Sequence, residues 1–110
     1  ASSWPRRTSA SWLAATSCFE IASMADAYEV NVAPHNFYGH LATMMNAHWS
    51  AVVPNLRIME IDPDVVPWYG DLVTVKPDIK DGYLTIPRGP GWGTEVNEAA
   101  VRAHPARAGA

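Results

Sequence analysis

The stretch VNVAPHNFYGHLATMMNAHWSAVVPNLRIMEID, residues 30–62, decides the fold. It opens on a short run of strand formers, VNVA (30–33), which Pro34 ends. A helical pattern follows from Tyr38 to about Val53, with Leu41, Met44, Met45, His48, Trp49 and Val52 on one stripe. Asn36 stands in the N-cap region of that helix, and Pro54 with Asn55 stops it. LRIMEI (56–61) is a second strand that runs into DPD. Strand, helix and strand in this order make a βαβ unit, with parallel strands and a right-handed crossover.

Upstream, SCFEIASMADAYE (17–29) predicts another helix. Ser17 and Glu20 have capping-box spacing, and Ile21, Met24, Ala25 and Tyr28 recur at steps of three and four. Residues 1–16 show no clean period and predict at most one helical turn. The resulting αβαβ order belongs to α/β folds with a parallel sheet. Such a sheet is covered on both faces, which two strands and two helices cannot achieve, so further strands must come from the tail or from elsewhere.

The tail changes character. LVTVKPDIKDGYLTIP (72–87) alternates apolar and polar residues around Asp81-Gly82, a strong hairpin signal. RGPGWGTE (88–95) is a Gly/Pro loop, TEVNEAAVRAH (94–104) predicts a short helix, and 105–110 predict a frayed end. Three segments emerge: a poorly specified 1–19, a 20–62 unit carrying the βαβ pattern, and a 63–110 region of hairpin, loop and helix.

Composition sets limits on function. A length of 110 residues suits one domain, and 48% apolar with 17% charged residues suits a globular chain. A net charge of −3 gives no reason to expect nucleic acid or an anionic membrane as partner. No stretch approaches the roughly 20 apolar residues of a membrane span. Arg6-Arg7 precedes a run too rich in hydroxyl residues for a secretory signal, and the single Cys18 suits a reducing compartment, so a cytoplasmic location is expected.

In parallel α/β folds, ligands sit beyond the carboxyl ends of the strands. His35 follows the first strand and Glu60 lies near the end of the second. Neighbouring parallel strands would bring imidazole and carboxylate to one rim, a pairing suited to proton transfer near neutral pH. The plainer alternative stays open at this point: a loop histidine bonded to backbone and a capping glutamate. His40 and His48 are eight residues apart on the second helix, whereas metal pairs favour a spacing of four. His48 beside Trp49 is expected to be a buried, hydrogen-bonded residue, and Met44-Met45 core. GPGWG lacks the Lys-Ser/Thr of a phosphate loop and is expected to turn tightly around Trp92. Asp62, Asp64 and Asp71 have no cation-loop spacing and are expected in loops and caps.

The pieces APHN (33–36), GHLATMMNAHWSAVVPN (39–55), IMEID (58–62), VPW (66–68) and DGYLTIPRGPGWG (81–93) together resemble a known family. Over residues 20–104 the chain resembles the C-terminal end of enolase-superfamily enzymes of the mandelate racemase/muconate lactonizing group, most closely the acid-sugar dehydratase-like members. The resemblance implies the last two strands, with their helices, of a modified (β/α)7β TIM-type barrel. A β-hairpin segment would follow and pack on a capping domain outside these residues. It implies that His35 is the general base or acid and that Glu60 hydrogen-bonds the substrate or its enediolate. It also implies Mg2+ as cofactor and a small carboxylate, a sugar acid, as substrate. The implied magnesium ligands lie on the third to fifth strands and the histidine's aspartate partner on the sixth, none of which these residues match. The expectation is therefore a C-terminal fragment of a dehydratase or racemase that is inactive alone. Its open sheet edge and uncovered helix face favour a homo-oligomer or other self-association. Two alternatives remain: a non-catalytic interaction module, and an unrelated small α/β domain holding an anion at its PHN and MEI rims.

Overall fold

A computed structural model describes residues 9–37, 39–62 and 66–105. Expectations placed on residues 1–8, on Asp64 and on 106–110 lie outside the described residues.

Helix α1 spans Ser9–Ala27. It starts well before the expected residue 17, because no Gly or Pro interrupts the Ala-rich run. Ser17 and Glu20 are therefore interior residues and not a capping box. The helix ends in a reversal at Glu29, whose φ of 57° is left-handed. There the Val30 amide donates to the Ala25 carbonyl at 2.9 Å and the Glu29 amide to the Asp26 carbonyl at 2.9 Å. The expected apolar stripe is not the packed face. Ile21, Met24 and Tyr28 are 62%, 68% and 81% exposed. The helix packs instead through the small Ala22, 2% exposed, and through Phe19, whose ring lies 6.3 Å from Trp49.

Segments 30–33 and 56–61 run parallel, as the βαβ pattern requires, but they do not form two regular strands. Their one ladder step is the parallel bridge of Val32 with Leu56. The Val32 amide donates to Asn55 O at 2.9 Å and the Arg57 amide to Val32 O at 2.8 Å. The next rung needs an amide hydrogen on residue 34, and Pro34 has none. Asn55 reinforces the junction through its side chain, donating to Ala22 O at 2.9 Å and to Val30 O at 3.0 Å.

Helix α2 spans His40–Ser50, starting after Gly39. Its inner face is Thr43, Met44, Ala47 and Ser50. Met44 and Ala47 form the core with Ala22, Val53 and Val73. The expected stripe is rotated: Met44 is buried, but Val52 is 64% exposed.

The tail holds a hairpin. Strands β1 (Asp78–Lys80) and β2 (Tyr83–Thr85) pair antiparallel with Ile79 opposite Leu84. Asp81 and Gly82 both have positive φ, 51° and 80°, as a two-residue type I′ turn demands. The upstream part of the expected hairpin pairs elsewhere: Val73 bridges Val96, and Thr74 N donates to Glu95 O at 2.9 Å. A 3-10 turn spans Tyr69–Leu72 and helix α3 spans Glu98–Ala103. Asn97 caps α3, accepting from the Ala100 amide at 3.3 Å, so this helix starts later than residue 94. Trp68 stacks on His104 at 4.1 Å, fastening the end of α3 to the turn. Among the described residues no helix is long and apolar enough to cross a membrane.

Candidate functional site

The two parallel segments are tied at two points with one alignment. Val32 faces Leu56, and four residues further on Asn36 faces Glu60 at the same sequence separation of 24. Between these ties lies a shallow groove of about 260 Å³ lined by Ala33, Pro34, His35, Ile58, Met59 and Glu60.

Both expected residues stand on this groove and touch. His35 Nδ1 lies 2.5 Å from Glu60 Oε2, with side chains 64% and 44% exposed. The His35 ring also lies parallel to Phe37, with centroids 6.1 Å apart. Glu60 Oε2 accepts a second bond, from the Asn36 amide at 2.8 Å. That amide is the main reason the Glu60 carboxyl sits below its ordinary value; partial desolvation opposes it, and the charge and hydrogen bond of His35 add to the lowering. The carboxylate is ionised and can only accept, so Nδ1 carries the hydrogen. The opposite ring nitrogen, Nε2, is then the basic one, turned away from Glu60.

Asn36 is the residue that sequence reasoning undervalued. It is 1% exposed and is not the helix cap, a position Gly39 occupies without any side-chain bond. Its Nδ2 donates to Glu60 O at 3.0 Å and to Thr43 Oγ1 at 3.0 Å. Its Oδ1 accepts from Asn46 Nδ2 at 3.1 Å. The signal was present in sequence: Thr43 and Asn46 are polar, three residues apart, and share the helix face nearest the loop. A small cavity of about 30 Å³ lies beside this network, lined in part by His40, Asp62 and Tyr69.

The other histidines do different work. His40 meets Tyr69 edge-on at 4.8 Å; burial lowers its pKa, and the charge of Lys76 lowers it further. Tyr69 is pushed up by burial and by the nearby Asp62 charge. His48 is half-buried and hydrogen-bonds the Trp92 carbonyl at 3.2 Å. This latches the Gly/Pro loop, whose turn is closed by Gly93 N donating to Pro90 O at 3.0 Å. Among the described residues no three His, Cys, Asp or Glu side chains gather where they could share a metal ion. The rim itself fits magnesium poorly: Mg2+ favours several oxygen ligands, whereas the rim offers one carboxylate, with Oε2 engaged by His35 and Asn36.

Residues 9–100 match the family model described as enolase C-terminal domain-like. The chain is 36% identical over 85 residues to the D-xylonate dehydratase of Haloferax volcanii, covering 77% of this chain and 21% of that protein. A crystal structure from Burkholderia xenovorans superposes with a TM-score of 0.82 at 52% identity, covering 86% of this chain and 23% of that one. That protein is assigned as an L-alanine-DL-glutamate epimerase and is bound to magnesium and fumarate. An enolase of the mandelate racemase subgroup from Agrobacterium tumefaciens superposes with a TM-score of 0.69 at 37% identity, over 78% of this chain and 24% of that one. The chain thus spans about a fifth to a quarter of the length of these relatives. With that match over most of its length, the chain belongs to the enolase C-terminal domain-like family, in the mandelate racemase/muconate lactonizing group of the enolase superfamily.

Proposed function

We propose that this chain supplies the acid/base rim of a barrel enzyme that moves the proton α to a carboxylate. The single observation that carries the proposal is the His35–Glu60 contact at the carboxyl ends of two parallel segments. In the intact barrel, 30–33 and 56–61 are the seventh and eighth strands, and the hairpin packs toward the capping domain. His35 works through Nε2, taking a proton when neutral and giving one when protonated. Glu60 meets the ring at Nδ1 and offers its remaining lone pairs to a substrate hydroxyl. The two branches of relatives differ in the step after proton removal: loss of a β-hydroxyl in a dehydratase, return of the proton in an epimerase.

Neither residue supplies positive charge where the carboxylate accumulates negative charge. Stabilising that charge is the dominant requirement of this reaction class, and magnesium supplies it in the intact enzyme. His35 and Glu60 do not form that metal site, so the isolated chain is proposed to be inactive on sugar acids. The aldonate dehydratase similarity favours a sugar acid as substrate; the 52% identity to the Burkholderia protein keeps an epimerase reading alive.

The test is a hybrid in which residues 9–105 replace the matching segment of the Burkholderia protein. The hybrid is assayed with magnesium on D-xylonate, on D-gluconate and on the Ala-Glu dipeptide. Turnover of any of these, lost on changing His35→Asn, supports the proposal and the active substrate assigns the branch. A well-folded hybrid inactive on all three, or one indifferent to His35→Asn, overturns it. The non-catalytic module would give the inactive result while still self-associating.

A further inference from the structure

We infer that Asn36 is a positioning residue that clamps Glu60 to helix α2, so that the helix sets where His35 presents its second ring nitrogen. The inference deepens the proposed acid/base role of the same rim and rests on it. Asn36 holds Glu60 at two points: its amide nitrogen reaches the carboxylate at 2.8 Å and its side chain reaches the main-chain carbonyl at 3.0 Å. A glutamate fixed at both ends of its side chain has few rotamers left. His35 is bonded to the same Oε2, so its ring inherits that placement.

The clamp is anchored on α2, and its direction is determined. Thr43 Oγ1 donates its hydrogen to Gly39 O at 3.0 Å, so toward Asn36 it can only accept. The Asn36 amide therefore cannot flip without setting Oδ1 against the Glu60 carbonyl and the Thr43 lone pairs. Asn46 completes the set by donating to Oδ1 at 3.1 Å. Both Nδ2 hydrogens and one Oδ1 lone pair are used, as a buried amide at 1% exposure requires. Asp in this place would lose both donors, and Gln would be one carbon too long.

Thr43 and Asn46 form none of these bonds to His35 or Glu60, which makes them the informative sites. The first measurement is the Glu60 carboxyl signal, followed by 13C NMR against pH in the 110-residue chain carrying Thr43→Val, Thr43→Ser, Asn46→Ala or Asn36→Asp. It requires no turnover, so its outcome is independent of whether the hybrid is active. Thr43→Val and Asn46→Ala are expected to move the Glu60 midpoint upward toward that of an ordinary glutamate, while Thr43→Ser restores the parent midpoint. In the hybrid, Thr43→Val is expected to lower kcat by on the order of 100-fold with little change in KM. If Thr43→Val does not fold, Asn46→Ala, which removes a single bond, carries the test. A folded Thr43→Val or Asn46→Ala chain with an unmoved Glu60 midpoint overturns the inference. So does a Thr43→Ser chain that behaves like Thr43→Val.

Discussion

His35 Nδ1 and Glu60 Oε2 meet at 2.5 Å on an exposed rim, two residues brought together by one parallel bridge and one buried asparagine. Exposed pairs of this kind contribute little to stability, so the contact matters for orientation and protonation more than for folding. The acid behaviour of the chain is set by its lowered groups.

The Glu60 carboxyl is held below 4.5, first by the Asn36 amide and then by His35. Its contribution is complete above 4.5 and is lost as pH falls through the lower, folded value. His40 is lowered from 6.5 by burial and by Lys76, so folding favours its neutral form. That contribution is complete above 6.5 and fades as pH falls toward the folded value. Urea melts at stepped pH should show His40→Gln flattening the curve just below 6.5 and Glu60→Gln flattening it below 4.5. A parent curve level through both windows contradicts the assignment.

Gly39 enters α2 at φ 98° and ψ 167°, a region open to glycine almost alone. A Cβ there would also stand 3.2 Å from the Tyr69 hydroxyl. Gly39→Ala is expected to destabilise the chain by about 1–3 kcal/mol in urea titration. Adding Tyr69→Phe should recover only a small part, because it relieves the contact and not the dihedral. Full recovery would assign the cost to the contact instead.

Glu29 occupies the left-handed position that closes α1, at φ 57°, where glycine is the usual residue. Glu29→Gly removes a backbone penalty of roughly 1–2 kcal/mol, partly offset by the greater freedom of glycine in the unfolded chain. A net gain of up to about 1 kcal/mol is expected in denaturant midpoint. A loss there would show that the Glu29 side chain contributes more than its backbone costs.

Ile21 and Met24 on α1 and Tyr28 just beyond its end are all more than half exposed. Ile58 on the second parallel segment is 66% exposed. Surfaces of this kind seek cover, so the isolated chain is expected to sediment as species larger than a monomer. Ile21→Lys with Met24→Lys should shift it toward the monomer. A parent chain that sediments as a monomer at high concentration excludes this face as an interface.

The order of elements was legible in the sequence because each rests on local physics. Asp81-Gly82 predicts its turn by backbone preference alone, and the helical period of 40–50 survives as α2. The parallel alignment of 30–33 with 56–61 follows from the short helical crossover. The features that were not legible depend on partners. The missing rung at Pro34 shows only once the ladder's phase is known, and the burial of Asn36 only once Thr43 and Asn46 are placed above it. Ile21, Met24 and Tyr28 do recur at helical spacing, but period alone cannot say whether a face is covered. The meeting of His35 and Glu60 at one rim was legible from their strand-end positions, whereas their contact through Nδ1 was not.

The central claim, that the His35–Glu60 rim moves an α-proton, is tested most directly by following that proton. The hybrid carrying residues 9–105 is incubated in D2O with magnesium and the carboxylate it turns over, and loss of the α-proton signal, by exchange in an epimerase or by elimination in a dehydratase, is followed by 1H NMR. The account predicts loss of that signal in the hybrid and a fall in its rate of about 10²–10⁴-fold with His35→Asn at unchanged melting midpoint. Loss at the parent rate in folded His35→Asn would contradict it.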